Sequence, residues 1–109
     1  GMGKDFDIAL LRAAVVEGRI QWHLHALERF LERGISRAEV INAILHGEVI
    51  EVYTTDRPYP SGLLLRVETE PVHVVAAAES AGSVCHVIPA YRPDLEHFEA
   101  DYKTRRKKL

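Results

Sequence analysis

His25 and Arg29 stand four residues apart, so a helix carrying them would present both on one edge. His73 lies in an apolar run with Val72, Val74 and Val75, and Tyr91 and Arg92 close another. Arg57 and Ser61 flank the prolines of a loop, Pro58 and Pro60, and Arg66 follows on the next apolar segment. If the helix crosses a sheet made of those segments, His25, Arg29, His73 and Tyr91 converge on one cleft. Such a set suits metal-free cleavage of RNA. That reaction needs a base for the 2′-hydroxyl proton, an acid for the leaving oxygen and a cation beside the developing phosphorane charge. Histidine titrates near neutrality and fills either proton-transfer role, and arginine offers a planar fork to phosphate oxygens.

Each of these residues also has a plainer reading. Arg29 can pair with Glu28 or Glu32 on a solvated helix edge, and His73 can be a core histidine bonded to a carbonyl. Tyr91 can be a packed ring with a surface hydroxyl. A metal centre is not expected, and neither is a cofactor. His23 and His25, two apart, point different ways on a helix, and His46, His86 and His97 lack a partner at ligand spacing.

The elements that must position these groups are legible in the patterning. Ile8, Leu11, Ala14 and Val15 recur at helical spacing after Asp5 or Asp7 and end near Gly18. Arg19–Trp22 is a connector. A second helix is expected over His23–Arg33, with Leu27, Phe30 and Leu31 inward and Gly34 as its stop. Ser36 and Glu39 form a capping box that opens a third helix, closed by Gly47. Strands are expected over Val49–Thr54, Leu63–Glu68, Val72–Ala78 and Val84–Tyr91, with turns at Thr69–Pro71 and at Ala81-Gly82-Ser83. Val72–Ala78 is apolar on both faces apart from His73, which places it centrally. Pro93 starts a last helix, Asp94 to about Lys103, with Leu95, Phe98 and Tyr102 inward. The expected fold is α+β: N-terminal helices packed on a four-stranded antiparallel sheet, with a C-terminal helix.

With 109 residues, 47% hydrophobic and 28% charged, the chain fits a single globular domain, 1–109. No apolar run reaches the roughly 20 residues of a membrane span, and no secretory leader is expected. Gly1 ahead of Met2 resembles a tag remnant. The lone Cys85 suits a reducing cytoplasm and an inert core position. Net charge is −2, but five of the fourteen basic residues fall in 103–109. The rest of the chain therefore sets nine basic groups against sixteen acidic ones, a net −7. A solvated terminus is the expected state of that basic tail, ahead of a phosphate contact or an intramolecular clamp.

The ordered motifs carry a resemblance. His25-Ala26-Leu27-Glu28-Arg29, Arg33-Gly34-Ile35-Ser36, Asp56-Arg57-Pro58-x-Pro60-Ser61, Pro71-x-His73-Val74-Val75 and Ala90-Tyr91-x-Pro93-Asp94 together resemble the bacterial family called domain of unknown function 4258. The likeness runs from about Trp22 to Arg106. Members resemble RelE/ParE-type toxins, which implies a RelE-like fold, an RNA substrate and a small zinc-finger antitoxin as partner. It also implies functional roles for His25, Arg29, His73 and Tyr91, and Arg57, Ser61, Arg66 and Arg92 are expected, from their places in the loop and strands, to contact substrate. The expected function is a metal-independent, endoribonuclease-like toxin. The alternative is a non-catalytic module that docks a partner through an open sheet edge.

Overall fold

A computed structural model describes residues 6–79 and 84–107. The order of elements is α1 (Ile8–Val16), β1 (Ile20–Trp22), α2 (Leu24–Arg33), α3 (Arg37–His46), β2 (Glu48–Tyr53), β3 (Ser61–Val67), β4 (Pro71–Ala78) and β5 (Cys85–Tyr91). The strands form a single sheet in the order β1-β5-β4-β3-β2. β2 to β5 are the expected antiparallel meander, with β4 in the middle. The fifth strand corrects the expectation of four. The connector before α2 is extended and pairs in parallel with β5, Ile20 opposite Cys85 and Trp22 opposite Val87. The turn expected at Ala81-Gly82-Ser83 and the Gly1-Met2 start lie outside the described residues.

Local chemistry explains the helix ends. Asp7 accepts from the amides of Ala9 and Leu10 at 2.9 and 3.2 Å and caps α1. Gly34 ends α2 in the left-handed region at φ 68°, a conformation that side chains with a Cβ resist. The box at the start of α3 is half formed. Ser36 Oγ accepts from the Glu39 amide at 3.1 Å, but the Glu39 carboxylate turns away to Arg92. The polar interruption of α1 has its own use. Arg12 donates to the carbonyls of Ile44 and Gly47 at 2.9 and 2.7 Å, satisfying groups that the end of α3 leaves unpaired.

The helices bury Leu11, Ala14, Val40, Ala43 and Ile44 against Leu64, Val72, Val74, Ala76, Val87 and Ala90 on one sheet face. Burying such side chains contributes roughly 1.5–3 kcal/mol each relative to exposure. On α2 the inward residues are Ala26 and Phe30, with Leu27 partly buried, whereas Leu31 is 85% exposed. Phe30 meets Trp22 edge-on at 6.2 Å, and that contact sets the rotation of the helix.

The C-terminal helix does not form among the described residues. Asp94 accepts from the amides of Glu96 and His97, giving one turn. Asp101 then bonds the amides of Lys103 and Thr104, and Tyr102 enters the left-handed region at φ 59°. The chain reverses there, and Phe98 bridges to Arg105. Asp101 is a turn former whose side chain competes with helix hydrogen bonds, and this outweighs the helical spacing of Leu95, Phe98 and Tyr102. Only Phe98 of the three is buried. The basic tail is a clamp rather than a solvated end. Lys103 pairs with Glu48, Arg105 with Glu51 and Arg106 with Glu99.

Gly47 marks the tightest join, between α3 and β2. A Cβ there would sit 2.3 Å from the Ala43 carbonyl oxygen and 2.8 Å from that of Leu65, both backbone atoms. Gly47→Ala is expected to destabilise the protein by about 2 kcal/mol or more, read as a lower urea midpoint at unchanged slope. An unchanged midpoint would show that the helix can shift away at no cost.

Candidate functional site

The sheet's second face carries its own polar cluster. Successive residues of a strand point to opposite faces, so the register of β4 turns His73 away from the helices that cover Val72 and Val74. There His73 is fully buried under the C-terminal segment, with Phe98 edge-on at 4.6 Å and Tyr91 at 5.3 Å. Its Nε2 lies 2.6 Å from the Tyr102 carbonyl, which can only accept, so Nε2 carries the proton. Nδ1 is then the acceptor for the Tyr91 hydroxyl at 3.3 Å. Burial lowers the His73 pKa, the Tyr102 bond opposes this, Arg105 lowers it further and Glu51 raises it. Burial likewise raises the Tyr91 pKa. Beside them Arg105 donates to Glu51 at 2.8 and 3.0 Å, and Tyr53 donates to the same carboxylate. That bonding holds Glu51 below the usual carboxylate range, and desolvation pushes the Tyr53 hydroxyl up to about 12.

A cleft of about 600 Å³ opens elsewhere, where α2 leaves the end of β1 and faces the 56–59 loop across β5. β1 pairs with β5 only as far as Val87, so Ile88 and Pro89 are left to line the cleft floor. His25, Arg29 and Arg33 line it from α2, and Arg57 and Tyr59 from the loop, whose Arg57–Pro58 peptide is cis. Arg33 is fixed by donating to the Ala90 carbonyl at 2.7 Å. Arg29 and Arg57 have neither a hydrogen bond nor an ion pair among the described residues. One wall is a ring stack. The Tyr59 and His86 rings are near-parallel with centroids 5.8 Å apart, and the His23 ring lies 5.5 Å from His86, with interplanar angles of 11° and 22°.

The expected convergence therefore divides in two. His25, Arg29 and Arg57 meet at the cleft. His73 and Tyr91 are held together beneath the C-terminal segment and do not line it. Ser61 is buried and donates to Asp56. Arg66 pairs with Glu68, while Arg92 bonds Glu39 and pairs with Glu70. Arg66 and Arg92 line a separate, smaller depression with Asn42 and Val72. The divergence has a simple cause: His73 lies on the same face of β4 as the cleft residue Ala77 but four residues along the strand, where the C-terminal segment covers it.

Sequence reasoning passed over His23, Arg33, Tyr59 and His86. His86 is not without a partner, since its Nε2 meets Glu79 at 2.7 Å. The only sequence signal for it is the alternation of β5, which sets His86 opposite Ala77. The approach of His23 follows from parallel pairing across more than sixty residues, which no local pattern announces. His97 likewise has a partner, Asp94 at 2.7 Å. With Glu96 these two residues make the one group of close potential metal ligands among the described residues, all three exposed. Cys85 is buried, with its thiol pushed up to about 12 by desolvation, so it is an inert core residue. Among the described residues no helix is long and apolar enough to cross a membrane.

Comparison with known proteins gives one match. The family model described as "Domain of unknown function (DUF4258)" covers residues 22–92, from β1 through β5, and so includes every residue that lines the cleft. No curated protein and no solved structure matches.

The buried histidine makes stability depend on pH. An unfolded histidine takes up a proton near pH 6.5, while folded His73 resists it because its pKa is lowered. Its contribution is complete above pH 6.5 and is lost progressively as pH falls from there. Chemical denaturation between pH 7.5 and 5 should show falling stability in the wild type and a shallower fall in His73→Phe. Equal slopes would mean that the imidazole titrates freely in the folded protein.

Proposed function

The chain belongs to the domain of unknown function 4258 family over residues 22–92, and from that premise we propose that it is a metal-independent endoribonuclease of toxin type. The observation that supports this reading is the cleft, where two guanidinium groups without an ion-pair partner among the described residues share the space with stacked rings. Two cations lining one cleft with no ion-pair partner among the described residues suit an anionic ligand, and a ring face suits a nucleobase. In this reading Arg29 and Arg57 hold the phosphates that flank the scissile bond. Tyr59 stacks a base. The His25 side chain is 93% exposed and touches Glu28 only at 3.7 Å, so it is accessible as a proton-transfer group. His73 has both ring nitrogens engaged, and in this reading its role is structural.

The acidic balance of the chain does not oppose RNA binding at this place. Glu48, Glu51 and Glu99 are each matched by a basic group of the tail, whereas the cleft arginines remain available. A RelE-like relationship and restraint by a small zinc-finger antitoxin belong to the same proposal. One observation favours the rival protein-docking reading: Leu24 and Leu31, seven apart on α2, are 70% and 85% exposed.

Purified protein incubated with single-stranded RNA in the presence of a chelator is expected to leave 2′,3′-cyclic phosphate ends. His25→Ala should slow cleavage by about 100-fold or more, and Arg29→Ala/Arg57→Ala should weaken RNA binding in a salt-dependent way. Intact RNA with wild type, with or without added metal, would remove the nuclease reading. A chelator-sensitive activity would remove the metal-independent part.

A further inference from the structure

Cleavage of RNA requires two proton-transfer groups, and the burial of His73 leaves the cleft with one exposed candidate, His25. The ring stack supplies another. Glu79 Oε2 lies 2.7 Å from His86 Nε2, and His86 Nδ1 lies 3.4 Å from His23 Nε2. A carboxylate only accepts, so His86 Nε2 carries a proton, and in the neutral imidazole His86 Nδ1 is then bare. A bare nitrogen needs a donor, so His23 Nε2 carries a proton as well. The lone pair that remains in the chain is on His23 Nδ1. Glu79 and His86, seven residues apart, and His23, 63 residues from His86, are thus fixed in one sense, from carboxylate to outer imidazole. The side chains of Glu79 and His86 are 31% and 20% exposed, and His23 is exposed at the cleft.

We propose that Glu79, His86 and His23 form a carboxylate–imidazole–imidazole chain, with His23 as the catalytic base of the cleft and Glu79 and His86 as its positioning residues. This rests on the ribonuclease reading given above. In the step, the 2′-hydroxyl proton passes to His23 Nδ1, and O2′ forms a bond to phosphorus as the bond from phosphorus to O5′ breaks. O5′ takes its proton from the imidazolium of His25. The products are a 2′,3′-cyclic phosphate and a 5′-hydroxyl, and the two histidines return to their starting states by proton exchange with water. The positive charge gained by His23 is shared through its Nε2–H with His86 and opposed by Glu79, as an orienting carboxylate does for a general base. The Tyr59 ring packs near-parallel to His86, with centroids 5.8 Å apart and an interplanar angle of 11°.

The test uses the full chain with ¹⁵N-labelled imidazoles, as wild type and as Glu79→Gln, which keeps size and a hydrogen-bond acceptor but removes the charge. Long-range ¹⁵N–¹H spectra above pH 7.5 are expected to show the Nε2–H tautomer at both His23 and His86 in the wild type. On single-stranded RNA, Glu79→Gln is expected to lower kcat about tenfold with KM within about twofold, and to move the acid limb of kcat/KM to lower pH. His23→Ala should lose about 100-fold or more, and circular dichroism will show whether each variant is folded. An Nδ1–H tautomer at either ring overturns the chain whatever the activity. Activity of Glu79→Gln equal to wild type, with an unmoved profile, overturns the positioning role. If wild type leaves RNA intact, the ribonuclease reading fails and His23 loses its catalytic role, while the tautomers still decide whether the chain exists.

Discussion

Three residue pairs between β1 and β5 hold the two halves of this molecule in relation. Without them the helices would meet the meander through side chains alone. With them, backbone hydrogen bonding fixes where α2 begins, because Trp22 is paired and His23 is already the helix cap. The Cys85 amide donates to the Arg19 carbonyl at 2.9 Å and extends the same seam. Since the pairing stops at Val87, α2 diverges from β5 and a concavity remains between them. The cleft is a geometric consequence of a strand that is only three residues long.

The two faces of the sheet solve different problems. The helix-covered face is apolar and needs no directional bonds, so its stability comes from close packing. The other face carries His73, Tyr91, Glu51 and Tyr53, and burying such groups unpaired would cost roughly 1–3 kcal/mol each. The C-terminal segment answers this with a carbonyl from Tyr102, a guanidinium from Arg105 and a ring from Phe98. A regular helix would occupy the Tyr102 carbonyl in its own ladder or turn it elsewhere. The irregular chain reversal lets that carbonyl point at an imidazole.

The two polar regions differ in what is left unsatisfied. Around His73 each polar group has an internal partner, as expected of a structural network. In the cleft His23 and His86 are ordered by one another and by Glu79, while Arg29 and Arg57 have no such partner among the described residues. Residue type does not separate these cases, since each contains histidine, tyrosine and arginine. Their distinction lies in which donors and acceptors remain available to a ligand.

The sequence by itself determined the elements: three helices with their caps, the four antiparallel strands and the central place of β4. These follow from periodicity and from local hydrogen-bond chemistry at Asp7, Ser36 and Gly34, which act within a few residues. It also identified His25, Arg29 and Arg57 as residues worth watching, and offered a carbonyl-bonded core histidine as one reading of His73. Only the tertiary structure decided that Ile20–Trp22 is a strand, that Asp94–Arg106 turns back instead of forming a helix, and that His73 and His25 serve different regions. Each of those outcomes depends on a partner distant in the chain, as Cys85 is for Ile20, His73 for Tyr102 and His23 for His86. Hydrogen bonds and ring contacts between remote segments leave no periodic trace in either segment, so pattern reading stops where they begin.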